Sequence, residues 1–328
     1  MKVIVVPKFG PPDVLRLQDV DPPVIGDGEV LVRVLAASLN PLDWHLLRGK
    51  PFVARLGLGL GFLKPKKKVL GADLAGRVEA VGRNVARFKP GDEVFGASRT
   101  GSLAEFAAVP ERGLAPKPAR STFEEAAAVP VAALTALQGL RDKGGIKPGQ
   151  RVLVNGASGG VGTFAVQIAR SFRAEVTGVC SARNADLVRS LGAARVIDYA
   201  REDFAREGRQ YDLILDNAAS RSFSDYRRVL APGGAYVGIG YSPSLMLQVA
   251  LRGRWMSRSE GRKAVFMIAK VNPEDLLFLK ELMETGRVRS VIDRRYPLAE
   301  APDALRYLEA GHARGKVVIT VAPPGPGA

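Results

Sequence analysis

The chain has 328 residues, about two domains at roughly 150 residues per domain. Charged residues make up 25% of it and hydrophobic residues 46%, values that exclude a disordered or collagen-like chain. The formal net charge of +15 indicates attraction to phosphates and other anions. One cysteine and two histidines exclude an intramolecular disulfide and a zinc site built on several Cys or His ligands.

No targeting or membrane segment is predicted. The first residues form too short an apolar run for a signal peptide, and Pro7 and Pro11 interrupt it. The longest apolar stretches, 51–63 and 244–251, are shorter than the ~20 residues that a spanning helix needs. We therefore expect a cytoplasmic protein that makes no membrane contact.

The first third of the chain has the pattern of strands and turns. β-Branched or alternating runs are separated by connections rich in proline and glycine. The predicted strands cover residues 2–6, 29–38, 73–82 and 104–109. The pattern changes near residue 121, where Ser121 and Glu124 have the spacing of a capping box and open an Ala-rich helix. A second helix is predicted over 134–145.

From residue 151 short strands and helices alternate, which predicts a parallel sheet with helices on both faces. The predicted strands are 151–157, 175–181, 194–199, 211–218 and 235–241, and the predicted helices are 161–172, 185–192, 222–230 and 273–286. The pattern is mixed again from residue 288, with a helix over 301–311, a strand over 316–321 and a disordered tail.

The sharpest signal is a glycine-containing turn between a buried strand and an amphipathic helix. Ala157, Gly159 and Gly162 stand at the spacing of a dinucleotide-binding fingerprint, with alanine in the first position. Gly159 would let the backbone approach a pyrophosphate, and Gly162 would let helix and strand pack closely. The free N–H groups and positive end of the helix would bind the phosphates.

The end of the second strand favours NADPH over NADH. An acidic residue there would bind a ribose 2′-OH, whereas a basic one accommodates a 2′-phosphate. Ser181 and Arg183 follow this strand, while Glu175 starts it and Asp186 lies in the next helix. Cys180 ends the same strand, and we interpret it as a buried strand residue because no histidine is near it in sequence.

With these motifs, the chain resembles the medium-chain dehydrogenase/reductase superfamily and its zinc-free, quinone-oxidoreductase-like branch. The resemblance covers nearly the whole chain. The segments that carry it are 28–44, 71–82, 88–96, 101–106, 124–140, the fingerprint, and 314–321. It implies an α/β fold with a GroES-like β-barrel catalytic domain, residues 1–121 and 288–328, and a Rossmann dinucleotide-binding domain, residues 122–287.

The departures from the zinc-dependent members imply metal-free chemistry. Those members place a Cys where Asn40 stands and a His where Ala72 stands, and they carry a four-cysteine lobe that this chain lacks. Without zinc as a Lewis acid, alcohol oxidation is disfavoured. The resemblance then implies NADPH-dependent reduction of a quinone or of an α,β-unsaturated carbonyl, acceptors that are already electron-poor.

The resemblance also implies site residues. Asn40 would hydrogen-bond the oxygen of the acceptor beside the nicotinamide, and His45 would donate a proton to it. Asp43 would orient the loop that carries them. The residues implied to bind the cofactor are Asn40, Thr135, Ser158, Gly159, Gly160, Val161, Ser181, Arg183, Tyr199, Asn217, Ala218, Gly238, Ile239, Gly240 and Lys316.

Several alternatives stay open at this point. The basic charge would also suit an enoyl thioester reductase, and it permits a non-enzymatic NADPH-binding protein with a structural or nucleic-acid role. The absence of a recognisable nucleic-acid module argues against nucleic acid. The resemblance implies a homodimer. The segment 51–68 is predicted to be a hydrophobic lid over a small apolar substrate, and the role of the basic segment 252–263 is left undecided.

Overall fold

The computed structural model describes residues 1–49, 65, 68–240 and 242–321, and the side chains of residue 252 and of residues 254–258 are outside this description. The predicted lid over 51–68 therefore lies almost wholly outside the described residues. Contacts between residues divide the chain into two units. One comprises residues 1–131, 271–285 and 290–328, and the other comprises residues 132–270 and 286–289.

The first unit is mainly β-sheet. Its strands are β1 (Lys2–Val5), β2 (Arg16–Asp19), β3 (Glu29–Leu39), β4 (Asp73–Val81), β5 (Glu93–Ala97), β6 (Phe106–Pro110) and β7 (Leu114–Pro116). Up to residue 131, this unit contains the helices α1 (Pro41–Arg48) and α2 (Phe123–Ala127). The helix α3 (Pro130–Gln138) begins in this unit and continues into the second one. The long strand β3 is central because its alternate side chains, Val30, Val32 and Val34, are fully buried in the core of this unit.

The second unit contains a six-stranded sheet. Its elements are β8 (Arg151–Asn155), α4 (Gly160–Ser171), β9 (Glu175–Cys180), α5 (Ala185–Ser190), β10 (Arg195–Asp198), β11 (Tyr211–Asp216), α6 (Phe223–Val229), β12 (Leu230–Gly238), α7 (Pro243–Glu260) and β13 (Lys263–Phe266). All neighbouring strands are parallel, in the order β10-β9-β8-β11-β12-β13. Counted from β8, this is the 3-2-1-4-5-6 order of the Rossmann fold.

The remaining elements return the chain to the first unit. They are α8 (Pro273–Glu284), β14 (Ile292–Pro297), α9 (Ala301–Glu309) and β15 (Lys316–Thr320). β15 pairs antiparallel with β3, so β14 and β15 join the strands β3 to β7 in one seven-stranded sheet, while β1 and β2 form a separate two-stranded sheet. The predicted α/β fold class, with two architectures in one chain, is confirmed.

Three sequence predictions differ from the structure. The capping box begins one residue later than predicted, because Glu125 N–H bonds Thr122 Oγ1 while Thr122 N–H bonds the Glu125 carboxylate. The helix α8 was predicted to close the Rossmann domain, but it packs on β7 of the first unit, where Glu284 accepts the N–H of Ala119. The change of unit near the start of the Rossmann domain falls at 131/132 rather than 121/122.

The helix α7 and the strand β13 were not predicted. β13 extends the parallel sheet beyond β12, and the described side chains Leu245 and Val249 of α7 are buried in the core of the same unit. The mixture of apolar and basic residues in this part of the chain hides the helical period. Among the described residues, no helix is long and apolar enough to cross a membrane.

Candidate functional site

The turn after β8 has the geometry that the fingerprint predicts. Gly156 adopts a positive φ of +76°, which favours glycine, and the N–H of Ala157 bonds the carbonyl of Val179. A Cβ on Gly162 would lie 2.1 Å from the carbonyl oxygen of Gly156, so helix α4 can approach the turn only with glycine there. A Cβ on Gly159 would meet only that same oxygen, at 3.6 Å, so this face of the turn is open.

The first turn of α4 is where an anion would bind. Ser158, Gly159, Gly160 and Val161 are all partly exposed. The first N–H groups of any helix lack acceptors within the helix, and the helix dipole adds positive charge there. The predicted phosphate-binding residues are therefore together at one helix end.

The ends of β9 and β10 bring three predicted residues to the same edge of the sheet. Ser181 and Arg183 follow β9, Tyr199 follows β10, and the N–H of Tyr199 bonds the carbonyl of Cys180. Tyr199 is 60% exposed, so its side chain does not belong to the core. Asp198 also lies at this edge, paired in register with Cys180, and it forms an ion pair with Arg201.

Burial determines the protonation state of the Cys180 thiol. The thiol of Cys180 is buried at the end of β9, and burial, with a smaller contribution from Asp198, raises its pKa to about 11. At neutral pH the thiol is therefore protonated and is not a nucleophile. This agrees with its interpretation as a buried strand residue.

The loop after β11 lies beside the glycine turn, and Gly240 after β12 lies against the loop after β11. A Cβ on Gly156 would be 3.4 Å from the Cβ atoms of both Asn217 and Ala218. Asn217 donates to the carbonyl of Asn155, while its own Oδ1 is buried without a partner among the described residues. After β12, the N–H groups of Ile239 and Gly240 bond the carbonyl of Asp216.

Two other residues predicted to bind the cofactor are Gly238 and Thr135, and both belong to the second unit. Gly238 ends β12, where a Cβ would lie 2.4 Å from the ring of Phe266 in the neighbouring strand. Thr135 is a buried residue in the interior of α3 and belongs to the second unit.

Asn40 and Lys316, two predicted site residues far apart in sequence, are in direct contact in the first unit. Lys316 Nζ donates to Asn40 Oδ1 over 2.7 Å and to Asp73 Oδ2 over 3.1 Å. Asn40 Nδ2 donates to the same Asp73 oxygen over 2.9 Å. The exposed fractions of Asn40, Asp73 and Lys316 are 6%, 0% and 2%, so this is a buried ion pair with an amide bound to both charges.

The surrounding groups complete this network. Ser38 Oγ donates to Asp73 Oδ2 over 2.9 Å, and the N–H of Val131 donates to Asp73 Oδ1 over 2.9 Å. These donors compensate for the desolvation of the carboxylate. The contacts also fix the orientation of the Asn40 amide, because an amide nitrogen cannot face the Lys316 ammonium as an acceptor. One N–H of Asn40 is used on Asp73, and the other has no hydrogen bond to a described residue.

The loop before α1 is held by Asp43, as predicted. One carboxylate oxygen of Asp43 accepts the N–H of Asn40 over 2.8 Å, and the other accepts the N–H of Gly71 over 3.0 Å. His45 stacks on Trp44 with 3.6 Å between the ring centroids. His45 is half-buried on the helix that Asn40 precedes, and its role as a proton donor stays a prediction.

The chain matches two families and many known proteins. Residues 26–119 match the alcohol dehydrogenase GroES-like domain, and residues 191–319 match a family described as zinc-binding dehydrogenase. A chloroplastic quinone-oxidoreductase, QR1, of Triphysaria versicolor is 34% identical over 93% of this chain and 93% of its own length. The chain belongs to the medium-chain dehydrogenase/reductase superfamily. Within it, the chain is an oxidoreductase of the quinone-oxidoreductase-like branch, as the sequence predicted.

Other members of this superfamily extend the comparison. A 2-methylene-furan-3-one reductase of Solanum lycopersicum is 35% identical over 96% of this chain and 78% of its own length. A quinone oxidoreductase structure from Coxiella burnetii has a TM-score of 0.85 and 31% identity, covering 98% of this chain and 99% of its own. The Escherichia coli quinone oxidoreductase complexed with NADPH has a TM-score of 0.85 and 25% identity, covering 98% of this chain and 100% of its own. The GroES-like and Rossmann assignments are therefore confirmed.

Among the described residues, the network of Asn40, Asp73 and Lys316 does not have the chemistry of a catalytic zinc site. Asn40 and Ala72 stand where the zinc-dependent members of the superfamily are expected to have Cys and His. The Lys316 ammonium already donates to Asn40 Oδ1 and Asp73 Oδ2, the oxygens that could bind a metal ion, and it would repel a second cation there. Among the described residues, no group of three or more His, Cys, Asp or Glu side chains could hold a metal ion.

Sequence reasoning missed Ser38, Asp73 and Asp216. Asp73 and Asp216 stand next to strongly apolar runs, at the start of β4 and at the end of β11, and both are completely buried. A carboxylate at the end of a buried strand needs hydrogen-bond partners. An aspartate directly beside an apolar run is therefore the sequence signal that could have identified Asp73 and Asp216.

Proposed function

We propose that this chain is a metal-free, NADPH-dependent reductase that transfers a hydride to a quinone or to an α,β-unsaturated carbonyl. The observation that carries the proposal is the Asn40 amide, which is fixed between Lys316 and Asp73 and has a second N–H with no hydrogen bond to a described residue. A fixed N–H donor is suited to the acceptor oxygen, on which negative charge develops as the hydride arrives.

The second unit supports the cofactor part of the proposal. Buried oxygens of Asn217 and Asn184 lack partners among the described residues, as expected if a ligand supplies the donors. Gly159 leaves the turn open to a phosphate, and Ser181 and Arg183 provide a hydroxyl and a charge for a 2′-phosphate. NADPH, when bound, supplies the hydride. The residues fit this group, and the Escherichia coli relative is described as a complex with NADPH.

The relatives support the acceptor class. A quinone and a 2-methylene-furan-3-one, named for two relatives, share a carbonyl conjugated to a carbon–carbon double bond. Such a group accepts a hydride at carbon when its oxygen is hydrogen-bonded, so no metal is needed to activate it. Asn40 would bind the oxygen, and His45 would protonate it.

An enoyl thioester is the second candidate acceptor. It carries the same conjugated carbonyl, and the formal charge of +15 would attract a thioester that bears phosphates. The two candidates differ in whether affinity for the acceptor depends on ionic strength. A thioester acceptor should bind more weakly as salt is added, whereas a neutral quinone should not.

The test is NADPH oxidation with a panel of quinones, 2-alkenals, cyclic enones and enoyl thioesters, with and without a chelator. We expect turnover of at least one class and no effect of the chelator. Failure of the purified protein to bind NADPH would contradict the cofactor assignment. Loss of activity with the chelator would contradict the metal-free mechanism.

Two glycine substitutions separate binding from packing. Gly159→Ala should weaken NADPH binding by about tenfold or more, because a methyl group would stand between the backbone and a phosphate, while the melting temperature changes little. Gly162→Ala should destabilise the protein by about 1–3 kcal/mol, because its Cβ would overlap the carbonyl oxygen of Gly156. Fluorescence titration and thermal melting measure the two effects. Equal losses of stability in both variants would contradict the open face at Gly159.

Arg183 should decide the preference for NADPH. Arg183→Ala should weaken NADPH binding by about tenfold to a hundredfold, the value of a charge-assisted contact, and should leave NADH binding nearly unchanged. Arg189 is the matched control because it is exposed in the next helix and paired with Asp186. Arg189→Ala should change neither affinity. An equal change for NADH and NADPH in Arg183→Ala would exclude a contact with the 2′-phosphate.

A further inference from the structure

Asp216 is a buried carboxylate at the point where the strand order of the Rossmann sheet reverses, between β8 and β11. Its exposed fraction is 0%, and no lysine or arginine in the described parts of the chain forms an ion pair with it. It is held instead by neutral donors. Asn155 Nδ2 donates to one oxygen over 2.8 Å and Tyr236 Oη to the other over 2.8 Å.

The same carboxylate holds the loop after β11. The N–H groups of Ala219 and Ala218 donate to Asp216 Oδ1 over 2.9 Å and 3.3 Å. Ala219 has a φ of +50°, in the left-handed region that non-glycine residues rarely adopt, so this turn depends on its hydrogen bonds. Burial, and secondarily the charge of Asp216, raises the pKa of Tyr236, which therefore stays a donor at neutral pH.

Three strand ends are joined through this one residue. Asp216 in β11 stands in register with Asn155 in β8, and its carbonyl accepts the N–H groups of Ile239 and Gly240 after β12. The chain runs from β8 to β9 on one side and reaches β11 on the other, so β8 and β11 flank the switch point of the sheet. Ligands of such sheets bind across this point, outside the carboxyl ends of the strands.

We propose that Asp216 is a positioning residue that sets the nicotinamide half of the cofactor site, an inference that rests on the proposed function. Ser181, Arg183 and Tyr199 lie at the ends of β9 and β10, on the other side of the switch point, where they suit the 2′-phosphate and adenosine half. The loops that Asp216 holds lie at the ends of β11 and β12. Asp216 thus acts on one half of a dinucleotide through the backbone, without touching it.

The test compares the whole cofactor with a fragment that contains only its adenosine half. In Asp216→Asn, an amide NH2 would face N–H and O–H donors that now bond a carboxylate, so the loop after β11, whose N–H groups bond that carboxylate, would shift. The backbone carbonyl at this position would still accept the N–H groups after β12. Titration calorimetry should show that the Kd for NADPH rises by about tenfold or more, while the Kd for adenosine 2′,5′-bisphosphate stays within about twofold. Arg183→Ala should weaken binding of both ligands.

Leu213→Ala is the control for loss of stability. Leu213 is fully buried in the same strand, so this variant should lower the melting temperature and leave both affinities unchanged. If Asp216→Asn does not fold, Tyr236→Phe, which removes one donor and keeps the carboxylate, should show the same selective effect at about threefold.

The outcomes separate the two proposals. Equal weakening of both ligands, or no weakening of NADPH, in the variant that folds would overturn the role of Asp216. Failure of the wild-type protein to bind either ligand would instead overturn the proposed function. A wild type that binds both ligands leaves the proposed cofactor intact whatever the variant shows.

Discussion

Lys316→Met should lower kcat/KM for the acceptor by about a hundredfold, the scale expected when a catalytic group is misplaced by about 1 Å. Lys316 is the donor that fixes Asn40 Oδ1, and it balances the charge of Asp73. Methionine keeps the length of the side chain and removes both contacts. The buried carboxylate would lose its cation, which costs about 3–5 kcal/mol of stability, so the melting temperature should fall as well. Steady-state kinetics measure the change in kcat/KM, and thermal melting measures the loss of stability.

A double variant separates activity from stability. In Lys316→Met with Asp73→Asn, no buried charge is left unpaired, and most of the lost stability should return. The activity should not return, because the Asn40 amide would still lack the ammonium that orients it. Recovery of full activity in the double variant would show that the ion pair serves only the fold, and our assignment of Lys316 would be wrong.

The parts of the site that sequence predicted are those whose residues are close together in the chain. The glycine turn is a property of residues 156–162, where the strand, the open glycine and the packing glycine follow one another. Its chemistry depends on local backbone conformation, so spacing was enough. The order of strands and helices in the Rossmann domain was predictable for the same reason, because each strand and helix has its own hydrophobic period.

The buried polar networks could not be predicted, because they are made by distant residues. Lys316 contacts Asp73 and Asn40 across separations of 243 and 276 positions. As a sequence feature, Lys316 is only a basic residue that starts an apolar strand, and such residues are usually solvated. Here β15 pairs with β3, and that pairing places Lys316 beside the loop of Asn40. The role of the residue follows from topology, which single-sequence patterns do not contain.

The register of the capping box at the start of α2 was also predicted wrongly, because it depends on distant residues. Two overlapping pairs, Ser121 with Glu124 and Thr122 with Glu125, have the required spacing. The structure uses the second pair, and Glu124 instead contacts Thr320 and Arg295 in other strands of the first unit. Local rules allowed both registers, and tertiary contacts selected one.

Asn40→Ala should lower kcat by about a hundredfold to a thousandfold, the usual effect of removing one donor from a developing oxyanion. The KM for the acceptor should change much less, because the hydrogen bond strengthens as charge develops. The ion pair of Lys316 with Asp73 would remain, so the loss of stability should be smaller than in Lys316→Met. Single-turnover oxidation of NADPH measures the chemical step directly.

Ser38→Ala is the matched control for Asn40→Ala. Ser38 donates to the same oxygen of Asp73 as Asn40 does, and it is also buried, but its only hydroxyl proton is used in that bond. Its removal therefore disturbs the network without removing a donor that could reach a ligand, and kcat should fall less than about tenfold. Equal losses of kcat in the two variants would mean that Asn40 supports Asp73 and does not bind the acceptor. A fall in kcat confined to Asn40→Ala would place the remaining N–H of Asn40 on the oxygen that receives the charge.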